Sequence, residues 1–301
     1  MILVKKDFIN DNVKLYLMPV VITRAKDDSQ SFAELLVKAS VKAEDLFYFP
    51  CLDFVNPDDD FNALDDAIRK NQEFDWLVFL SKRAADSFFS RVLDLGGHFF
   101  HLAQHLKIAV VGPATREFIE NDVNFPVDFC PNEFNSDSFA KEFKLNCTDD
   151  TNYLNPLKLL LPRTSIADSK LIEDLEESKK IEVVQVDAYK TVKPTISDDL
   201  IGKFKDLLVE MKAENQFLKL SFTSSQCVRN FFETINSNFD LKEFIANIEF
   251  YSIGPKVTAT LGEEIYKIIS EPDFKLTIFQ SEEATLGSLA EKIVNRQAFK
   301  E

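Results

Sequence analysis

VFLSKRAADSFF, at residues 78–89, joins a short apolar run to a segment whose apolar side chains recur at helical spacing. IAVVGPATREFI, at residues 108–119, has the same form, with Gly-Pro between the apolar run and the helical pattern. Strand-like and helix-like segments also alternate on either side of this pair. Such alternation predicts an α/β protein, in which helices cover sheets of parallel strands.

Both segments recur in the second half of the chain. LSFTSSQCVRNFF (220–232) matches the first segment, and EFYSIGPKVTATL (249–261) matches the second. The spacing agrees as well, because the Ser of the first segment and the Gly of the second are 31 residues apart in one copy and 30 in the other. A shared order and spacing indicates a duplicated unit.

Two further segments complete the series. LKLLLPR (157–163) resembles LYLMPVVITR (15–24), and VVQVDAYKTV (183–192) stands where LFYFPCLDF (46–54) stands in the first copy. We read LFYFPCLDF as one strand. Four matches in register predict two duplicated, flavodoxin-like or Rossmann-like domains with parallel sheets. The polar, turn-rich stretch 130–156, with one short helical segment, is read as lying between the halves.

The charge balance excludes some classes of protein. The chain has 301 residues, with 35 Lys and Arg against 50 Asp and Glu, and a formal net charge of −15. This sign argues against nucleic-acid binding and against electrostatic docking on an anionic membrane. No apolar run is long enough to span a bilayer, and no signal peptide is recognisable. The four cysteines are far apart, which indicates free thiols. We expect a cytoplasmic monomer.

Cofactor motifs are missing from the sequence. The chain has seven glycines and neither G-x-G-x-x-G nor G-x-x-x-x-G-K-[ST]. Those loops need glycine because the backbone approaches a phosphate closely. His98, His101 and His105 would share one face of a helix, but no cysteine or H-E-x-x-H glutamate accompanies them. The acidic run 58–60 lacks calcium-loop spacing and is typical of a solvated turn. We expect no metal and no cofactor.

Polar residues occupy the four junctions at which a predicted strand leads into a predicted helix. Helix starts offer N–H groups and the positive end of the helix dipole to a carboxylate or phosphate. Open α/β sheets bind ligands at this edge. The alternative is that each hydroxyl only caps its helix. The candidates for substrate binding at the junctions are Ser81, Lys82, Arg83, Gly112, Thr115, Thr223, Ser224, Gly254, Pro255 and Thr258.

Tyr189 lies in the strand-like segment DAYKT, between Asp187 and Lys190. A tyrosine in a strand commonly serves packing. Alternatively, its hydroxyl donates a proton to a leaving group in a cleft. The sequence leaves both roles open.

In this order, the motifs resemble the uroporphyrinogen-III synthase family of haem biosynthesis. The resemblance covers nearly the whole chain from about residue 15 and rests on TRAKDD, FLSKRAADSFF, AVVGPAT, LLLPR, DAYKTV, FTSSQCV and SIGP. It implies two α/β domains joined by a two-stranded β-ladder, with the substrate between the domains. Mapped onto this chain, the parts are one domain of residues 15–46 and 195–301, a second of residues 57–182, a ladder of residues 47–56 and 183–194, and an extension of residues 1–14.

The resemblance also implies a reaction. Hydroxymethylbilane, a linear tetrapyrrole with eight carboxylates, closes to uroporphyrinogen III with inversion of ring D and loss of water. Azafulvene and spiro intermediates are implied, and no metal or organic cofactor is needed. The linear substrate closes spontaneously to the uninverted isomer, so the enzyme must hold ring D in the less accessible geometry.

Site residues follow from the matched motifs. The family tyrosine near the second ladder strand matches Tyr189, which is expected to assist departure of the hydroxyl. The threonine of the first G-x-x-T motif matches Thr115, and the serine of F-[TS]-S matches Ser224, with Ser81 as its counterpart. Positive charge near the substrate is expected from Arg24, Lys82, Arg83, Arg163 and Lys256.

One position departs from the family pattern. Val257 stands where a threonine is expected three residues after Gly254, and Thr258 follows it. Either the turn is shifted by one residue, or that contact is absent. Two other readings remain open: a non-catalytic two-domain sensor of a small anion, which needs no tyrosine, and a degenerate paralogue that serves as an interaction scaffold.

Overall fold

The chain divides into two compact units. The computed structural model describes residues 19–97, 106–147, 156–164, 169–269 and 278–295. Within these residues, the first unit is drawn from Met1–Asp53 and Lys193–Glu301, and the second from Phe54–Val192. The predicted N-terminal extension (1–14) and the three histidines (98, 101 and 105) lie outside the described residues.

The first unit contains a five-stranded sheet in the order β10-β9-β8-β1-β2. Every neighbouring pair in it is parallel. Its three inner strands are buried along their whole length, as is typical of parallel sheets that carry helices on both faces. The strands are β1 (Val20–Ile22), β2 (Leu46–Tyr48), β8 (Leu218–Phe222), β9 (Ile248–Ser252) and β10 (Ile278–Gln280).

Among the described residues of this unit, five α-helices cover the two faces of the sheet. They are α1 (Lys26–Lys38), α7 (Asp198–Ala213), α8 (Ser225–Asn236), α9 (Pro255–Ile268) and α10 (Leu286–Asn295). On one face α1 and α10 contribute Phe32 and Leu289 to a core cluster. On the other face α7, α8 and α9 contribute Phe204, Phe231 and Leu261 to a second cluster. Each helix thus turns its apolar side towards the sheet.

The second unit has the same architecture. Its sheet has the order β3-β7-β6-β4-β5, and the pairs among the last four strands are parallel. The strands are β3 (Asp53–Val55), β4 (Trp76–Phe79), β5 (Lys107–Val110), β6 (Leu157–Thr164) and β7 (Ile181–Val192). The helices are α2 (Asn62–Arg69), α3 (Lys82–Asp94), α4 (Pro113–Glu117), α5 (Ser136–Cys147) and α6 (Lys170–Glu176). One π-helical turn, Phe118–Asp122, continues α4.

The two sheets share one strand order. The order β9-β8-β1-β2 in the first unit corresponds to β5-β4-β6-β7 in the second. These are the four pairs that the sequence repeat predicts, which confirms a duplicated parallel α/β unit. Each unit combines strands from both copies of the repeat. The first unit has β1 and β2 from the first copy and β8 and β9 from the second, whereas the second unit has β4 and β5 from the first copy and β6 and β7 from the second.

One local prediction was wrong. LFYFPCLDF (46–54) is not one strand, because Pro50 has no N–H to donate and the segment divides into β2 and β3, which lie in different sheets. The helical segment predicted within the polar stretch 130–156 is α5, and Phe139 and Phe143 on it are fully buried in the core. No described helix is both long and apolar enough to cross a membrane.

Candidate active site

The carboxyl edge of the second sheet carries two of the predicted junctions. After β4, Ser81 caps α3, because its Oγ accepts a hydrogen bond from the backbone N of Ala84 at 3.2 Å. After β5, Gly112 stands at the N-cap of α4 and Pro113 is the first helical residue. Proline suits that position because its missing N–H would have no helical partner.

The first unit repeats this arrangement. Ser224 caps α8 by accepting a hydrogen bond from the backbone N of Cys227 at 3.1 Å. Gly254 precedes Pro255, which is the first residue of α9. Thr223, which is half-buried, links Ser224 to the end of β8. Both units therefore present a hydroxyl cap and a Gly-Pro start side by side, on neighbouring strands.

A further hydroxyl couples the two helix starts of the first unit. Thr260 Oγ1 lies 2.8 Å from Ser225 Oγ and 3.0 Å from the carbonyl oxygen of Lys256. Ser225 begins α8, and Lys256 is the second residue of α9. These contacts fix the position of the start of α8 relative to the start of α9.

Thr115 and Val257 occupy the same position in α4 and α9. The backbone N of each bonds to the carbonyl of the glycine three residues earlier, at 3.2 Å and 3.1 Å. Both side chains are buried, with 5% and 6% of their surface exposed. The turn is therefore not shifted by one residue, and Val257 packs in the apolar core where the threonine was expected.

Thr258 makes hydrogen bonds within its own unit. Its Oγ1 lies 2.7 Å from Ser252 Oγ, 2.8 Å from Gln280 Oε1 and 3.1 Å from the carbonyl oxygen of Gly254. One hydroxyl has one donor and two acceptor sites. Its one proton goes to the Gly254 carbonyl or to Gln280 Oε1, and the Ser252 hydroxyl can donate to the Thr258 oxygen, so Thr258 is held at the turn between β9 and α9.

A β-bulge sets the direction of Tyr189. Arg163 of β6 pairs with Asp187 of β7, but Thr164 pairs with Tyr189, so that Ala188 is the extra residue. Side chains alternate along a regular strand. The bulge instead lets Tyr189 pack against the same core cluster as Ala188, on the face covered by α2 and α3.

Phe54 brings Tyr189 and Arg83 together. The rings of Phe54 and Tyr189 meet edge to face, with centroids 5.5 Å apart and an interplanar angle of 84°. The guanidinium carbon of Arg83 lies 4.3 Å from the centroid of the same Phe54 ring. A phenol and a cation are thus held on one aromatic ring, because cations favour the ring face and aromatic pairs favour edge contacts.

Lys82, the first residue of α3, reaches the aromatic ring that follows α4. Its side chain is exposed, and its Nζ lies 4.9 Å from the centroid of Phe118. Phe118 begins the π-helical turn after α4. The ammonium group therefore lies against the ring that follows α4 while it stays open to solvent.

Charged residues of both signs face each other where Arg163 of β6 pairs with Asp187 of β7. Arg163 is 5% exposed. Burial raises the pKa of the Asp187 carboxyl, the charges of Asp59 and Asp58 raise it further, and Arg163 lowers it in part. The Asp187 carboxyl is thus a partly buried acid with further acidic residues beside it.

Arg24 follows β1 at the carboxyl edge of the first sheet. Its Nε donates to the carbonyl oxygen of Asp28 at 3.2 Å, and its Nη2 lies 3.8 Å from the Asp28 carboxylate. The guanidinium is thus oriented along the first turn of α1. The side chain is one-fifth exposed, and this leaves part of it accessible.

No metal centre is visible in the described part of the chain, where no three His, Cys, Asp or Glu residues cluster. The acidic run 58–60 forms an exposed turn, as predicted. Asp58 in this turn accepts hydrogen bonds from Lys190 Nζ at 2.7 and 2.8 Å.

Sequence reasoning missed Phe54 and Phe118. Each belongs to the site because a cation lies on its ring. With 29 phenylalanines in the chain, no local pattern marks these two. Phe54 is the last residue of LFYFPCLDF, where the sequence pattern indicates only a strand.

The fold and this edge define a class of protein: a duplicated, parallel α/β protein with hydroxyl-capped helix starts at the carboxyl edges of its sheets. Comparison with known families gives a closer assignment. Residues 30–276 match the family model described as "Uroporphyrinogen-III synthase HemD". The chain belongs to the uroporphyrinogen-III synthase family, whose members are lyases of porphyrin and haem biosynthesis that act on a tetrapyrrole.

Relatives agree with this assignment. The chain is 28% identical to the uroporphyrinogen-III synthase of Synechococcus elongatus over 83% of this chain and 87% of the relative. It is also 28% identical to a putative uroporphyrinogen-III synthase of Methanocaldococcus jannaschii, over 82% of this chain and 89% of the relative.

Solved structures share the fold. The crystal structure of uroporphyrinogen-III synthetase from Helicobacter pylori has a TM-score of 0.57 at 15% identity, covering 93% of this chain and all of that one. A mutant uroporphyrinogen III synthase from Thermus thermophilus has a TM-score of 0.55 at 14% identity, with the same coverage.

Proposed function

We propose that this chain converts hydroxymethylbilane to uroporphyrinogen III with inversion of ring D, using residues at the carboxyl edges of its sheets. One observation carries the proposal: Phe54 holds the phenol of Tyr189 and the guanidinium of Arg83 on the same ring. The Phe54 ring thus contacts both a side chain that can donate a proton and a cation that can bind a carboxylate.

Substrate binding relies on local charge and on hydroxyl groups. The net charge of −15 opposes the approach of a polyanion, so the positive groups must be local. Lys82 and Arg83, the first two residues of α3, provide them in the second unit. Ser81 and Ser224 use their oxygen as a cap, and each hydroxyl proton can then go to a substrate carboxylate.

Tyr189 starts the reaction by donating its phenolic proton. The C–O bond of the hydroxymethyl group breaks, its electron pair stays on oxygen, and the Tyr189 proton completes a molecule of water. The lone pair of the adjacent pyrrole nitrogen replaces the lost bonding pair, and the protonated azafulvene that forms carries one positive charge. The phenolate that remains stabilises the positive charge.

Ring D then inverts through a spiro intermediate. Its substituted α-carbon attacks the azafulvene methylene, and a C–C bond forms. The older bond from that carbon to the neighbouring methylene breaks, and this methylene bonds to the free α-carbon of ring D. The proton lost from that carbon returns to the Tyr189 phenolate, so that the balance is substrate to product plus water.

We also propose that the protein is a monomer in a reducing, cytoplasmic compartment. All four cysteines are free thiols, and Cys51 and Cys227 are buried in one core. Burial raises the pKa of both thiols, which disfavours the reactive thiolate. Sedimentation should give a mass near 34.4 kDa, and twice that mass would contradict a monomer.

The experiment is an anaerobic assay in which hydroxymethylbilane is generated by a coupled enzyme. The product is oxidised, and isomers I and III are separated by chromatography. We expect isomer III in excess of a blank without this chain. Isomer I alone would overturn the proposal and leave the other two roles. Binding of hydroxymethylbilane without turnover would then favour the sensor, and no binding would favour the scaffold.

A further inference from the structure

Phe134 is an aromatic side chain that the fold leaves in solvent. Its exposed fraction is 61%, and it is the only phenylalanine of the described residues classed as exposed. Its neighbours Phe139 and Phe143 on α5 are fully buried. Single exposed apolar side chains are common on protein surfaces. Exposure alone therefore gives Phe134 no role, and its location relative to the candidate site has to be considered.

Position places Phe134 at the edge that carries the candidate site. Phe129 forms a parallel bridge with Ala109 of β5, and its carbonyl accepts a hydrogen bond from Val110 N at 2.9 Å. The chain therefore runs in the same direction as β5 and leaves at the carboxyl edge. A Cβ placed on Gly112 would stand 3.8 Å from the Cβ of Phe134, so the Phe134 side chain begins beside the start of α4.

Hydrogen bonds fix the turn on both sides of Phe134. Asn132 donates from its backbone N and from Nδ2 to the Glu142 carboxylate, at 3.1 and 2.8 Å. Asn135 Oδ1 accepts a hydrogen bond from the backbone N of Ser138 at 2.8 Å. A group held in this way loses little backbone freedom when a ligand arrives.

We infer that Phe134 stacks on one pyrrole ring of the bound tetrapyrrole and so positions the substrate. The inference rests on the proposed function. A pyrrole ring has a flat apolar face, and its carboxylate side chains extend from the rim. Aromatic rings pair with such faces in offset or edge geometry. Lys82, at the neighbouring helix start, is then available to the rim carboxylates.

The test compares Phe134→Ala and Phe134→Tyr with a matched control, Tyr266→Ala. Tyr266 is an aromatic of α9 with 58% of its surface exposed and no place in the site. We expect kcat/KM for hydroxymethylbilane to fall about tenfold in Phe134→Ala, because the stacking contact is lost. Phe134→Tyr, which keeps the ring, should stay within about twofold of the unsubstituted chain. All three variants should retain their melting temperature, since each side chain is exposed.

A binding measurement gives a second readout that does not depend on turnover. Phe134→Trp adds an exposed indole to a chain whose single tryptophan, Trp76, is buried. Its fluorescence, corrected for the unsubstituted chain, should be quenched when uroporphyrinogen III is added under reducing conditions. The absence of quenching, or equal kcat/KM in Phe134→Ala and Tyr266→Ala, would overturn the inference. If the unsubstituted chain still makes isomer III, the proposed function survives that result, whereas production of isomer I alone overturns both.

Discussion

Ser81 and Ser224 cap their helices with nearly identical backbone geometry. Their φ and ψ angles are −154° and 154° at Ser81 and −154° and 152° at Ser224. Each oxygen accepts a hydrogen bond from the N–H three residues later, at 3.2 and 3.1 Å. They follow β4 and β8, which hold equivalent places in the two sheets. The duplication has kept this junction while most of the surrounding sequence changed.

Ser224→Asp and Ser224→Ala separate capping from substrate binding. Aspartate caps as well as serine, whereas alanine should lower the free energy of unfolding by about 1 kcal/mol. Aspartate also brings a negative charge to the proposed carboxylate site, so KM should rise by about tenfold or more. Urea denaturation and steady-state kinetics measure the two effects. An unchanged KM in Ser224→Asp would leave Ser224 as a cap only.

Tyr189→Phe removes the proposed proton donor and keeps the ring that packs on Phe54. We expect kcat to fall about a hundredfold, in the range of general acid catalysis, with KM within about threefold of its original value. Tyr266→Phe, on the exposed side of α9, is the control and should be neutral. If kcat is retained in Tyr189→Phe, this tyrosine has no part in proton transfer.

Thr115→Val copies into α4 the residue that α9 already has at the same position. The side chain is buried and keeps its size, so the variant should fold, and KM should rise if the hydroxyl binds substrate. The reverse change, Val257→Thr, places a hydroxyl in an apolar cluster and should cost about 1–3 kcal/mol of stability without raising KM. Equal kinetics in the two variants would show that the Thr115 hydroxyl makes no contact with substrate.

Asp65 and Arg91 provide a pH-dependent contribution to stability. Arg91 Nε and Nη2 donate to the two carboxylate oxygens at 2.7 and 2.9 Å. The hydrogen bond from Arg91 holds the pKa of Asp65 below its usual value, and burial opposes this in part. A lowered pKa stabilises the fold above the unfolded-state pKa of about 4, and this contribution is lost as pH falls through the folded-state pKa.

The corresponding experiment uses Asp65→Asn and the exposed neighbour Asp66→Asn. At pH 7, Asp65→Asn should lower the free energy of unfolding by about 1–3 kcal/mol, and the loss should shrink below about pH 4. Asp66, with 66% of its side chain exposed, should show little effect at any pH. A loss in Asp65→Asn that is the same at pH 3 and pH 7 would contradict the ion-pair account.

The sequence predicted those features that are local in the chain. Each matched segment contains its strand, its turn and the start of its helix, so Ser81 and Gly112 are recognisable without tertiary information. LFYFPCLDF was misread because β2 and β3 are short, and their partners belong to two different sheets. Strand pairing of that kind is a tertiary property.

The missed parts of the site join residues that are distant in sequence. The bulge that turns Tyr189 requires the register of β6 against β7. The hydroxyl of Thr258 forms a hydrogen bond with the side chain of Gln280, which is 22 residues later in the chain. Phe54 packs on Arg83 and Tyr189, which lie in separate elements. None of these contacts leaves a periodic or spacing signal.

Competition with spontaneous closure tests the central claim most directly. With a fixed supply of hydroxymethylbilane, the uncatalysed reaction yields isomer I, and the fraction of isomer III is measured as the concentration of this chain is raised. The account predicts that this fraction rises towards completeness at substoichiometric enzyme, and that Tyr189→Phe shifts the curve to about a hundredfold higher concentration. A fraction of isomer III that does not depend on the concentration of the chain would contradict it.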